Sequence, residues 1–196
     1  AVAGRAAPCA LLDGIPWLDH VLVIPAQPGP FELPQTAARL RSHAVDLAIV
    51  FPHSFRAAAL AWLTRAKRRL GYDRGGRRIL LTDAPQPHRV GGRIQPIYMA
   101  REYLELVAHL GCEDDGAGLE LHVDSAVLAD VAARMGDARP CIGIAPGAAF
   151  GPSKRWPPEC FAAVADVLRE RLSARCVLLT GPGEEDLRDA VLRQAK

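Results

Sequence analysis

The densest chemistry in the chain lies between Gly143 and Leu168, in GIAPGAAFGPSKRWPPECFAAVADVL. An apolar, strand-like run passes into small residues, a Lys-Arg pair, a tryptophan and two prolines, and then into an amphipathic helical pattern. Gly147, Ala148, Ala149 and Gly151 are small enough to let backbone N–H groups approach an anion. Lys154 and Arg155 supply positive charge, and Pro157 or Pro158 opens the helix where no N–H is needed. Together these features describe a phosphate or diphosphate site. Lys154 reaches the ligand as a compact point charge, Arg155 stays on the outside, and Trp156 packs under the loop. A solvated loop with two ordinary surface cations fits the spacing as well. Gly-x-x-x-x-Gly-Lys-Ser/Thr is absent and no Gly-x-Gly-x-x-Gly follows a strand, which argues against P-loop and dinucleotide chemistry.

Such a loop needs a strand before it and a helix after it. Four short apolar runs predict strands at 20–24, 45–51, 141–145 and 175–181, each followed by a helical pattern. After the second run Ser54 is a plausible N-cap, and the helix predicted over 55–70 places Ala59, Leu60, Leu63 and Ala66 on one face. After the third, a helix over 157–172 brings Phe161, Val164, Ala165, Leu168 and Leu172 together. Strands alternating with amphipathic helices imply an α/β protein with parallel sheets flanked by helices. Residues 77–83 read as a short strand, 96–111 as a helix closed by Gly111, and 125–135 as a helix closed by Gly136. The acidic, glycine-bearing segment 113–125 carries no periodicity and is read as a domain boundary. Asp13, in LLDGIP, reads as a turn residue.

Composition narrows the class. With 196 residues, 49% hydrophobic and 23% charged, the chain can bury an ordinary core, and no run of about 18 apolar residues or signal-peptide pattern appears. Its five cysteines are widely spaced without a Cys-x-x-Cys pair, so the expectation is mostly buried, reduced thiols and no metal. A net charge of +2 hides an asymmetry. Residues 53–101 hold 11 Lys/Arg against 2 Asp/Glu, and residues 102–139 hold 2 against 9. The basic stretch suits either an anionic partner or solvated helix faces; nothing points to nucleic acid. The chain opens without Met and stops inside a helical pattern, and is read as a piece of a longer protein.

The segment PGAAFGPSKRWPPECFAAVA resembles the signature of glycosyltransferase family 9, the ADP-heptose:lipopolysaccharide heptosyltransferases, in particular their heptosyltransferase II type. The match to Pro-Gly-Ala-x-Phe/Tyr-Gly-Pro-x-Lys-Arg-Trp-Pro runs from Pro146 to Pro157. VDLAIVFPHSFRAAALAW and PWLDHVLVIP resemble the same family's N-terminal domain, with His53 where the family carries Asn.

The resemblance implies a fragment of a GT-B fold, two Rossmann-like domains facing across a cleft. Residues 1–120 would be the later part of the acceptor-side domain. Residues 121–196 would be a linker and the first part of the nucleotide-sugar domain. It implies inverting transfer of heptose from ADP-heptose to the acidic lipopolysaccharide inner core, without a cofactor, in the cytoplasm, either free or attached peripherally to the cytoplasmic face of the inner membrane. Lys154 would stabilise the leaving diphosphate, with Ala148 and Ala149 offering backbone N–H groups. Thr180 and Gly181 would form a wall, while Glu184 and Glu185 are candidates for the ribose or simply acids at a helix N-terminus. Ser54 and Arg56 would meet the acceptor, with Lys67, Arg68 and Arg69 guiding its anionic groups. The family's catalytic Asp and its Asp-Ser-Gly-x-x-His segment have no counterpart in these 196 residues, so the chain alone is expected to be inactive. Two alternatives remain open: a family 9 transferase for another nucleotide sugar, and a non-catalytic nucleotide- or anion-binding module.

Overall fold

Short runs of valine, leucine and isoleucine find partners in parallel, each reached through a helix because parallel strands cannot be joined by a tight turn. In the computed structural model, which describes residues 1–25, 32–136, 140–148 and 152–196, the order is as follows. Strand β1 (Val2–Gly4), helix α1 (Ala6–Ala10) and strand β2 (Val21–Val23) come first; α2 (Glu32–Arg41), β3 (Leu47–Ile49), α3 (Phe55–Leu63) and β4 (Arg68–Leu70) follow. A small hairpin, β5 (Arg89–Val90) and β6 (Arg93–Ile94), leads to α4 (Met99–Ala108). The chain ends with α5 (Ser125–Met135), β7 (Cys141–Ile144), α6 (Pro158–Leu172), β8 (Arg175–Leu178) and α7 (Glu185–Gln194). The pairs β1–β2, β3–β4 and β7–β8 are all parallel. The protein is therefore α/β with short parallel strands. It divides into two compact units, Ala1–Val123 and Asp124–Lys196.

In the first unit Leu70, Tyr72 and Leu106 form a buried cluster with Phe51 and Leu110 against it. Alanines at the centres of α2 and α3 (Ala37, Ala58, Ala61) are buried, which lets the two helices approach closely. In the second unit Ile144, Ala162, Ala165 and Val191 are buried, whereas α5 buries none of its residues. No helix among the described residues is long and apolar enough to cross a membrane.

The helix expected over 55–70 stops at Leu63. Thr64 donates its hydroxyl to the Ala61 carbonyl and accepts from the Ala66 N–H, and Arg65 takes φ +63°, so the chain turns and continues as β4. The strand expected over 77–83 is instead a 3-10 turn, Arg77–Leu80, opened by Gly76 at φ +71°; only Asp83 bridges to Leu70. The helix expected over 96–111 covers Met99–Ala108, and Gly111 turns at φ +82° beyond it. Thiol burial also differs from expectation. Cys9 is buried, Cys112 and Cys141 are exposed, and Cys160 and Cys176 lie between.

Arg77 explains the 3-10 turn. Its residue is wholly buried; Nε donates to the Tyr72 carbonyl at 2.9 Å and Nη1 donates to the Pro52 carbonyl. One guanidinium thus ties the exit of β3 to the exit of β4. Truncation empties a wholly buried site and removes the donors to the Tyr72 and Pro52 carbonyls, so Arg77→Ala should lower stability by about 2–4 kcal/mol in urea unfolding. Exposed Arg78→Ala should change it by less than about 0.5 kcal/mol. Equal effects would contradict the clamp.

Candidate active site

In the second unit, β7 and β8 run side by side in register, Ile144 opposite Leu178, and the Leu179 N–H still donates to the Ile144 carbonyl at 2.9 Å. The loop leaving β7 therefore lies beside the loop leaving β8. Pro146 is fully buried and anchors the first, while Gly147 and Ala148 are half-buried. Ala149 and Gly151 lie outside the described residues. Past them, Pro152–Lys154 form a 3-10 turn with Lys154 exposed, and α6 begins at Pro158 with Pro157 as N-cap.

The two loops meet through Glu184. Its Oε2 accepts from the Gly181 N–H at 2.9 Å, and its carboxylate rests on Gly147 so closely that a Cβ there would lie 2.0 Å from Oε1. A carboxylate thus uses a backbone donor in the wall where an anionic ligand was expected. Glu185 accepts from the Gly183 N–H at 3.3 Å, and backbone hydrogen bonding holds its carboxyl below the usual range. Glu184 is the N-cap of α7 and Glu185 opens its first turn, where the helix dipole favours negative charge. Thr180 is half-buried between them and the strand. The arrangement gathers Gly147, Thr180, Gly181 and Glu184. Arg155 stays exposed, as expected, and its Nη2 donates to the Ala148 carbonyl at 3.2 Å, closing the loop on itself. Trp156 does not lie under the loop. It is more than half exposed and meets Phe161 edge-on, ring centroids 5.6 Å apart.

In the first unit Ser54 caps α3, accepting from the Ala57 N–H at 3.2 Å. Arg56 pairs with the nearly buried Glu32, so its charge is partly matched inside the fold. The Lys67, Arg68, Arg69 cluster already has partners within its own unit, although Lys67 stays largely exposed. Lys67 pairs with Asp46 at 2.9 Å, Arg68 with Asp83 at 3.1 Å, and Arg69 donates to the Ala66 and Leu80 carbonyls. Sequence reasoning missed a polar cluster beside Ser54. There His53 Nε2 lies 3.4 Å from Glu102 Oε2, Arg74 lies 3.7 Å from Glu102 Oε1, and the Tyr72 hydroxyl donates to the Glu102 carbonyl at 2.9 Å. The available signal was Glu102 on the core side of α4.

Burial, then the nearby Arg74 charge, lower the His53 pKa, against a smaller opposing pull from Glu102. The unfolded chain therefore binds this proton more readily than the folded one. Stability is full above the unfolded histidine range and falls as pH drops towards the lowered folded value. Melting temperatures at pH 7.5 and 5.5 should show a smaller acid loss in His53→Asn than in the parent, and an unchanged loss would remove His53 from this role.

The Gly147 contact gives a second expectation. Gly147→Ala drives a methyl into the Glu184 carboxylate and should cost about 1–3 kcal/mol in urea unfolding. In Glu184→Ala the same change should cost less by about 1 kcal/mol or more. An additive cycle would mean the two residues do not touch.

Residues 35–195 match the family model described as glycosyltransferase family 9 (heptosyltransferase). The chain is 32% identical over 181 residues to lipooligosaccharide heptosyltransferase 2 of Haemophilus ducreyi, covering 85% of this chain and 50% of that protein. It is 32% identical over 200 residues to the Haemophilus influenzae protein of the same name, covering 94% and 55%. Among solved structures it resembles the Escherichia coli ADP-heptose lps heptosyltransferase II, with TM-score 0.77 and 22% identity over 100% of this chain and 59% of that one. A Veillonella parvula family 9 glycosyl transferase superposes with TM-score 0.75 at 23% identity, covering 95% and 54%. The chain spans about half the length of the curated relatives it matches.

Proposed function

The chain belongs to glycosyltransferase family 9, the heptosyltransferases, and from that premise we propose that it is part of an inverting enzyme that transfers heptose from ADP-heptose to the acidic inner core of lipopolysaccharide. The observation that carries this reading is the pair of adjoining loops after β7 and β8, holding the family motif from Pro146 to Pro157. In this reading the enzyme has GT-B architecture, with the first unit on the acceptor side and the second on the donor side. It works in the cytoplasm, either free or attached peripherally to the inner membrane.

Transfer with inversion requires an acceptor hydroxyl to displace ADP from the anomeric carbon, so negative charge grows on the departing diphosphate. Lys154, with the N–H groups of Ala148 and Ala149, offsets that charge; preorganised groups of this kind are often the largest catalytic contribution. Thr180 and Gly181 wall the donor. Glu184, the acid lying nearer the loop, accepts from the ribose hydroxyls, with Glu185 behind it at the helix start. For a diphosphate to use the Gly181 N–H, Glu184 must turn from its present hydrogen bond. Ser54 and Arg56 meet the acceptor, Arg56 keeping part of its charge outward while Glu32 fixes its position.

In the complete enzyme Lys154→Ala should lower kcat by about 10²- to 10³-fold, with a smaller loss of ADP affinity. Lys154→Arg should rescue only in part, since a planar fork does not replace a point charge. Arg155→Ala should cost less than about tenfold. Steady-state kinetics on folded variants decide: a Lys154→Ala enzyme with normal kcat would exclude the lysine. Preference for another nucleotide sugar would replace the donor. No turnover by the complete protein with any such donor would make it a binding module.

A further inference from the structure

In the second unit a single carboxylate spans the loops after β7 and β8. The Glu184 N–H donates to the Gly181 carbonyl at 3.2 Å, and the Glu184 side chain folds back over the same turn to accept from the Gly181 N–H at 2.9 Å. Gly183 takes φ +81° within this turn, a conformation open to glycine. The same carboxylate covers Gly147: both oxygens and the carboxyl carbon lie 2.0–2.3 Å from where a Cβ would stand. Residue 147 therefore presents bare backbone, and Glu184 lies over it. One anion occupies both features that would receive a diphosphate oxygen, the Gly181 N–H and the open face of Gly147. A second anion cannot share them, because two acceptors compete for one N–H and like charges at contact distance repel.

We propose that Glu184 is a specificity-determining residue, a built-in carboxylate that keeps inorganic phosphates out of the site and yields to a nucleoside diphosphate. The inference rests on the reading of these loops as the donor site. Inorganic phosphate or pyrophosphate competes for the Gly181 N–H but offers the displaced carboxylate no comparable donor. An ionised carboxylate only accepts, and the hydrogen bond that it gives up is charge-assisted and therefore strong. A nucleoside diphosphate carries two ribose hydroxyls on the same molecule, and both donate. Glu184 then leaves one donor and gains two, so its displacement is offset for the nucleotide and not for the inorganic anion. The task falls to Glu184 because it reaches both loops, whereas Glu185 is committed to the Gly183 N–H. Selectivity thus comes from an occupant already in place, which only a ligand with hydroxyl donors can relocate without loss.

The test is calorimetric titration of the complete enzyme with pyrophosphate and with ADP, in the parent, Glu184→Ala, Glu184→Gln and Asp186→Ala. Asp186 carries the same charge in the first turn of α7 and serves as the control. Glu184→Ala should bind pyrophosphate about tenfold tighter than the parent and ADP no tighter, so the two ligands move apart in sign. Glu184→Gln, which keeps the shape and loses the charge, should gain pyrophosphate affinity as well. Removing the ribose hydroxyls, with 2′,3′-dideoxy-ADP as the probe, should weaken binding to the parent about tenfold and to Glu184→Ala by less than about threefold. A misfolded variant does not gain affinity, so the expected result cannot come from damage. If ADP binds the parent but neither Glu184 variant gains pyrophosphate affinity, the inference is overturned. An equal gain in Asp186→Ala overturns it too, since bulk charge would then be the cause. Failure of ADP to bind the parent strikes the donor-site reading itself, and the inference with it.

Discussion

Parallel pairing is the constraint from which the remaining structure follows. Two parallel neighbours cannot be joined by a hairpin, so each pair takes a helix between its strands and brings two carboxyl-end loops to the same edge. In β3–β4 this sets Pro52 and His53 beside Tyr72 and Arg74. In β7–β8 it sets Gly147 beside Gly181 and Glu184. Side chains tie the neighbouring loops together, and differently at each edge. Arg77 supplies donors to two carbonyls at the first edge, and Glu184 supplies an acceptor to an amide at the second.

The charge asymmetry of the chain takes on a different meaning in this light. Much of the basic stretch after residue 53 is engaged internally: Arg77 is buried, Arg74 and His53 face Glu102, and Lys67, Arg68 and Arg69 all have partners within the unit. Glu102, from the acidic half of the sequence, serves three residues of the basic half. Net charge along a sequence window measures neither exposure nor field once such pairs form, which is why a window count alone left solvated faces and an anionic partner equally open.

Much of the architecture was legible because strands and helices carry their periods in the sequence. The runs at 20–24, 45–51, 141–145 and 175–181 contain β2, β3, β7 and β8, and the helix at 125–135 is α5, capped by Asp124. β1 escaped because Val-Ala-Gly is not set in a longer apolar run, and β4, reading Arg-Arg-Leu, continues the composition of the preceding helix. What separates them is one residue at positive φ, Arg65, where neither glycine nor asparagine advertises the turn. Within the loop after β7, glycine at 147 was legible as smallness, but the reason for it was not. Glu184 reaches Gly147 across 37 positions of sequence, through a side-chain contact that no local pattern encodes.

Trp156 offers a practical consequence. All three tryptophans, Trp17, Trp62 and Trp156, are more than half exposed. An indole already in water has little further to shift its emission when the chain unfolds, so total intrinsic fluorescence is a poor gauge of global denaturation for this protein. The same exposure makes Trp156 a useful local reporter. It stands two residues from Lys154, edge-on to Phe161 at the head of α6. With Trp17 and Trp62 replaced by phenylalanine, quenching of the remaining indole by iodide or acrylamide would follow the accessibility of this loop alone, giving an optical readout for a segment that otherwise carries no chromophore.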